Sequence, residues 1–228
     1  MEPLTRASIA DQVFTRLREA ILRGDYEAGE RLPTQRALAA DLQVNIATVR
    51  EALKRLAQLR LVEVRHGDAM RVLDWRRSGG LEALALLGSA STDIVRPLFE
   101  ARRLLLVEAA RLAAQRRDEQ QAQSIGELAR AVALASDEQT ALLCDWAFMS
   151  AVVEAADNLV FQLIMNSVRD LYLPHAERFM ALVSQRAELA TLYEATAQAI
   201  TAGSTEEAAT TIGELAAAQE ASILDGLA

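Results

Sequence analysis

Apolar residues recur at helical spacing in three short blocks at the start of this chain, and the blocks are set apart by turn-forming residues. Over residues 8–23, Ile9, Val13, Leu17 and Ile21 share one stripe, which predicts an amphipathic helix closed by Gly24. The loop GDYEAGERLP follows, with two glycines and a proline. A second helix is expected from Thr34 to Asp41, with Thr34 as N-cap and Leu38 and Leu42 as its apolar positions. Leu42-Gln43-Val44 reads as a turn. Asn45 then caps a third helix whose Val49, Ala52, Leu53 and Leu56 face inward, leaving Thr48, Arg50, Lys54 and Arg55 toward solvent or a partner. Leu61–Arg65 and Met70–Leu73 read as short strands joined at His66-Gly67-Asp68. Two short helices across a tight turn, followed by a small β-wing, form the layout of a winged helix-turn-helix, in which the second of those helices enters the major groove of DNA.

The pattern changes after Asp74. DWRRSGG reads as a linker, and beyond Gly80 the spacing is helical almost throughout. Candidate helices span 80–88, 92–116, 118–135, 137–156, 158–172, 174–184, 186–202 and 205–226. The breaks fall at Gly88-Ser89, Ser136-Asp137, Asp157-Asn158, Pro174 and Gly203-Ser204. No repeat of fixed period and no strand candidate stands out. The expected fold is mainly α: a winged helix-turn-helix over 1–74, a linker at 75–80 and an all-α bundle of six to eight helices over 81–228.

Composition agrees with helix, since 51% of residues are hydrophobic and only 4% aromatic. A single cysteine, Cys144, excludes an intramolecular disulfide framework and fits a reducing cytoplasm. No run approaches the roughly 18 consecutive apolar residues of a membrane span, and MEPLTRASIADQ lacks a signal-peptide pattern. A soluble, cytoplasmic protein without membrane partners is expected. The net charge of −8 conflicts with DNA binding until it is divided. Residues 1–74 hold 12 basic against 11 acidic residues, and residues 75–228 hold 12 against 21. Between Asn45 and Arg71 six basic residues face three acidic ones. Phosphate binding needs a local positive face rather than a positive protein.

These residues resemble the GntR family of bacterial transcription regulators. Ile21 to Ala39 follow the family's first signature, I-x-x-G-x-x-x-x-G-x-x-L-P-S/T-x-R-x-L-A, with Gln35 where Glu is frequent. Val44 to Leu56, VNIATVREALKRL, follow its second signature apart from Asn45 and Ile46. The helical half resembles the FadR-like branch: Asp145-Trp-Ala-Phe148-Met149, then Ala155-Ala-Asp-Asn158, then Ala199-Ile-x-x-Gly203. His66 to Leu87 is similar to the wing and linker of that branch's namesake. The resemblance implies a homodimeric regulator on a pseudo-palindromic DNA operator. Residues 81–228 would then form its effector-binding and dimerisation domain.

The candidate DNA contacts each have a plainer alternative. Arg50 lies one turn into the third helix, placed for guanine or phosphate, or for a surface ion pair. Arg36 matches the family's base-reading arginine, and Thr48 offers a hydroxyl to phosphate or a base edge. Asn45 is most simply a cap, compatible with a phosphate contact. Lys54 and Arg65 suit phosphate. The resemblance implies a minor-groove contact for His66 and Gly67, against a solvated turn. Ile46 stands where most relatives have Arg. It cannot hydrogen-bond a base, so it either touches a thymine methyl or packs on the preceding helix.

In the helical half, many members of the branch hold a divalent metal through one Asp and three His. Asp145 is present here, but Met149, Tyr193 and a residue near Leu215 fall at the His positions, and only His66 and His175 occur in the chain. Met and Leu do not replace imidazole toward such cations, so no metal and no cofactor are expected. The branch's namesake also lacks that metal set and binds long-chain acyl-CoA, which favours a bulky or amphipathic effector; a small organic acid is the alternative. Arg102 falls where the branch has a pocket arginine, suited to a carboxylate or phosphate or else to a surface or inter-domain salt bridge. Tyr172 and Tyr193 are candidates to line that pocket or simply to pack. Asn158 reads as a helix cap, and Asp145 as a cap or an internal partner.

Scarce histidine, a lone cysteine and no glycine-rich phosphate loop argue against an enzyme. An effector-free DNA-binding protein remains as a further alternative.

Overall fold

The computed structural model describes residues 9–63, 70–81 and 94–225. The chain divides into two compact units, residues 1–91 and 92–228, so the division falls later than the expected linker. In the first unit α1 (Ile9–Arg23), α2 (Gln35–Asp41) and α3 (Ile46–Gln58) are followed by β1 (Val62–Glu63), β2 (Arg71–Val72) and a short α4 (Trp75–Ser78).

The apolar stripes meet as their spacing requires. Val13, Phe14, Leu17 and Ile21 of α1 pack on Val49, Ala52, Leu53 and Leu56 of α3, with Leu38 of α2 and Leu61, Val62 and Val72 of the sheet closing the core. The turn between α2 and α3 places Gln43 at φ 55°. A left-handed backbone there is a strained choice for a residue with a Cβ.

The second strand is shorter than expected, and the first is described only at Val62 and Glu63, since residues 64–69 lie outside the described residues. β1 and β2 pair antiparallel, Val62 opposite Val72 and Glu63 opposite Arg71. The loop before α2 adds to the sheet from the other side: Arg31 bridges Arg71, Gly29 N donates to Val72 O, and Leu32 N to Met70 O. The remainder of the expected wing, with Arg65, His66 and Gly67, lies outside the described residues, as does the helix expected at 80–88. The stretch expected to be a linker instead holds α4, because Asp74 Oδ1 accepts from Arg76 N at its start and Trp75 packs on the unit's core.

The second unit is helical throughout its described residues. It comprises α5 (Val95–Arg116), α6 (Glu119–Leu134), α7 (Glu138–Ala155), α8 (Leu159–Tyr172), a 3₁₀ segment (Leu173–Val183), α9 (Arg186–Ala202) and α10 (Thr205–Asp225). The 174–184 run departs from the expected α-helix; the proline at 174 has no amide hydrogen to give to the helix before it.

Most other breaks among the described residues carry their own stop or start. Asp118 and Gln121 form a reciprocal capping box for α6, Asp137 caps α7, and Asn158 Oδ1 accepts from Val160 N and Phe161 N to cap α8. Gly203 ends α9 in a left-handed conformation, φ 76°. Helices α5 and α10 lie close enough that a Cβ on Gly213 would meet Val107 Cγ2 at 3.2 Å. Alanines on α5 (Ala109, Ala110, Ala113) serve the same close packing, and Ile125, Phe148, Met149, Ile200, Ile212 and Leu215 fill the core.

Candidate DNA-reading face and buried polar cluster

In the first unit the basic residues sort into two groups, those held by the protein and those left unheld. Arg55 is held: its Nη1 lies 2.5 Å from Asp11 Oδ1, and its guanidinium sits 4.2 Å from the centre of the Phe14 ring. Arg55, expected to face solvent or a partner, instead lies half-buried against α1 and joins α3 to it. Arg18 lies near Glu19 and over Phe14, and Arg23 pairs with Asp25.

Arg36, Arg50 and Lys54 are exposed, and among the described residues no hydrogen bond or ion pair holds their side chains. Arg50 and Lys54 lie four residues apart, on one face of α3. The start of α3 is tightly capped: Asn45 Oδ1 accepts from Thr48 N at 2.7 Å and from Thr48 Oγ1 at 2.9 Å. Both polar side chains expected to meet DNA there are partly committed to each other. Ile46 is 39% exposed and is not among the residues that build the unit's core.

In the second unit the polarity is inverted, with charge buried and paired. Asp145 sits in α7 at 1% exposure. Its Oδ1 accepts from Tyr193 Oη at 2.7 Å and from Gln219 Nε2 at 2.8 Å, and its Oδ2 accepts from Tyr172 Oη at 3.4 Å. Arg102 Nη2 stands 3.9 Å from Asp145 Oδ2 and donates to Gln219 Oε1 at 2.8 Å. The amide of Gln219 has only one sensible orientation, since Arg102 can only donate to it and the carboxylate can only accept.

Burial pushes the Tyr172 and Tyr193 hydroxyls far above the ordinary phenol range, and the adjacent Asp145 carboxylate adds to the shift while Arg102 opposes it. Aromatic rings wall the cluster: Phe148 meets Tyr193 edge-on at 5.2 Å, and Tyr172 lies between Trp146 and Phe179. Arg102 Nη1 is buried with no hydrogen-bond partner.

The structure thus brings Arg102, Asp145, Tyr172 and Tyr193 together. Met149 lies in the core one turn along α7, where a thioether makes packing contacts. Gln219 escaped the sequence reading, although a Gln on the apolar α10 stripe of Ile212, Leu215, Ala216 and Ile223 was a usable signal. Leu215 lines the core, and its neighbour one turn on makes the polar contact.

The donors do not fit the divalent metal of the branch. Asp145 is the cluster's one carboxylate, its Oδ1 already accepts twice, and a guanidinium stands beside it. Among the described residues no three His, Cys, Asp or Glu converge. A separate cleft of about 430 Å³ runs between α6 and α9, past Gly126, Arg130, Glu194 and Thr201, and none of the cluster's residues lines it. Among the described residues no helix is long and apolar enough to cross a membrane.

A helix-turn-helix with unheld cations, followed by a helical domain built round a buried polar cluster, defines a DNA-binding regulator with an effector domain. The chain belongs to the gntR family of bacterial regulatory proteins: that family's model matches residues 9–72, and the FCD domain, an effector-binding module, matches residues 97–218. It is 34% identical over 207 residues to the HTH-type transcriptional regulator Mce2R of Mycobacterium tuberculosis, covering 89% of this chain and 86% of that one. The fatty acid metabolism regulator of Yersinia pestis is 27% identical, over 68% of this chain and 65% of its own. The solved structure of E. coli McbR/YncC shares the fold, with a TM-score of 0.54 at 18% identity, covering 98% of this chain and all of that one. These matches support the FadR-like branch. The protein is a transcription regulator, not an enzyme.

Proposed function

We propose that this regulator binds a pseudo-palindromic operator as a homodimer, and that an anionic metabolite seated at Arg102 controls the binding. The observation that carries the DNA half is the set of exposed, unheld cations Arg36, Arg50 and Lys54 on α2 and α3. Arginine in the major groove reads guanine through two parallel hydrogen bonds, and lysine suits phosphate. One recognition helix reaches only a few base pairs, so two copies related by a two-fold axis are needed for a specific site. Such a protein works in the cytoplasm, where the chromosome is. Arg65, His66 and Gly67 are assigned to the same DNA face by resemblance, and Asn45 and Thr48 to phosphate at the start of α3.

For the effector, Arg102 supplies a buried donor with no partner, and Tyr172 and Tyr193 supply neutral hydroxyls beside it. Asp145 holds all three, and Met149 packs in the core one turn along α7. Long-chain acyl-CoA is the first candidate, supported by the missing histidine set and by likeness to a regulator named for fatty acid metabolism. A small organic acid is the second reading, favoured by the single free donor on Arg102, which suits one carboxylate.

The test is fluorescence anisotropy on labelled duplex from upstream of the gene, titrated with long-chain acyl-CoA and then with a panel of small organic acids. A change in DNA affinity at micromolar acyl-CoA, abolished by Arg102→Met, is the expected result. A change with a small acid alone selects the second reading. Indifference to every ligand, together with an unchanged melting temperature, overturns effector control.

A further inference from the structure

Ile46 is the first residue of α3 and is 39% exposed, yet it contributes to no core. A lone exposed isoleucine is common; its surroundings make this one informative. Ala47, next to it, is exposed and apolar. Asn45 and Thr48, on either side of the pair, have turned toward each other, and the Thr48 hydroxyl proton is spent on Asn45 Oδ1. The first turn of α3 therefore presents methyl groups between flanking polar side chains that are already engaged. Arg50 follows four residues on along the same face, and Lys54 four beyond that, both exposed and unheld. The face is apolar at its tip and cationic behind it.

We infer that Ile46, with Ala47 beside it, reads the 5-methyl group of thymine in the major groove, so that a T·A pair opposite the first turn of α3 is a specificity determinant of each half-site. This rests on the reading of α3 as the groove-binding helix. Of the groups displayed in the major groove, the thymine methyl is the apolar one, and an apolar side chain is its natural contact. Hydrogen-bonding edges of guanine, adenine or cytosine facing Ile46 and Ala47 would instead lose water and gain no partner.

The test begins with selection of binding sites from a random duplex pool by the full chain. Each thymine of the selected site is then replaced in turn by deoxyuridine, which removes only the methyl group. One position per half-site is expected to lose about fourfold in affinity, the effect of withdrawing one buried methyl-sized group. Ile46→Ala is expected to bind the parent site more weakly and to become blind to that replacement. Because Ile46 is outside the core, the variant is expected to melt with the parent protein. If deoxyuridine costs nothing at any position, or costs Ile46→Ala as much as the parent, the inference is overturned while DNA recognition stands. Failure to select any site overturns both.

Discussion

The two units treat charge in opposite ways. In the first, Arg36, Arg50 and Lys54 are left exposed and unheld, while Arg55, at the back of α3, is tied to Asp11 and Phe14. In the second, Arg102 and Asp145 are withdrawn from water and bound into a network with Gln219 and two tyrosines. A surface that meets DNA exchanges counterions for phosphate, so its cations need no partner in the free protein. A buried charge has no such freedom, because desolvation leaves it costly unless neighbours satisfy it. The contrast separates a face that reads a partner from a cluster whose own groups nearly complete one another.

The largest effect is expected where that contrast is sharpest. Asp145→Ala removes the buried acceptor of three donors and the counter-charge of the half-buried Arg102, a loss of about 3 kcal/mol. Thermal denaturation should show the helical unit melting about 10 °C earlier; an unchanged midpoint would mean that the cluster is not a structural unit.

Alkali attacks the same cluster. The Tyr172 and Tyr193 hydroxyls titrate higher in the folded chain than in the unfolded one. Their contribution to stability is therefore complete below about pH 10, the free phenol value, and falls as the pH rises above it. Tyrosinate absorbance from these two residues should appear only as the chain unfolds, and early titration would place them in contact with water.

Effects in the DNA-binding unit are smaller, because surface groups are at stake. Asn45→Ala removes the cap of α3 and should cost about 1 kcal/mol by chemical denaturation. Gln43→Gly relieves the left-handed turn residue and should raise stability slightly, by about 0.5 kcal/mol after the entropy of glycine is counted. If Gln43→Gly instead destabilises the unit, the turn is not strained at that residue.

What the sequence disclosed follows the same division. Val13, Leu17 and Ile21 of the first stripe, the caps Thr34 and Asn45, and the inward set on α3 were legible because helical spacing and capping are local properties, whereas Ile9, at the helix end, is 62% exposed and lies outside the core that Phe14 joins instead. The breaks of the second unit were legible for the same reason. Arg55 was misplaced, since only the docking of α1 on α3 brings Asp11 and Phe14 beneath it. Gln219 was missed because its partner Asp145 lies 74 residues away in the chain. The signal was present as one polar residue on an apolar stripe, but its meaning depends on how α10 and α7 pack. The α4 turn escaped notice because WRRS reads as a polar linker until Trp75 finds the core.

The measurement that bears most directly on the account compares Arg50→Ala with the parent protein on two duplexes, a selected operator and a scrambled sequence of equal length, over a range of salt. Arg50 is exposed and unheld, so the variant should fold normally. The expected result is a loss of about 10- to 100-fold on the operator, a much smaller loss on the scrambled duplex, and a steep salt dependence for both proteins. Equal losses on the two duplexes, or none on either, would contradict the assignment of α3 as the reading helix.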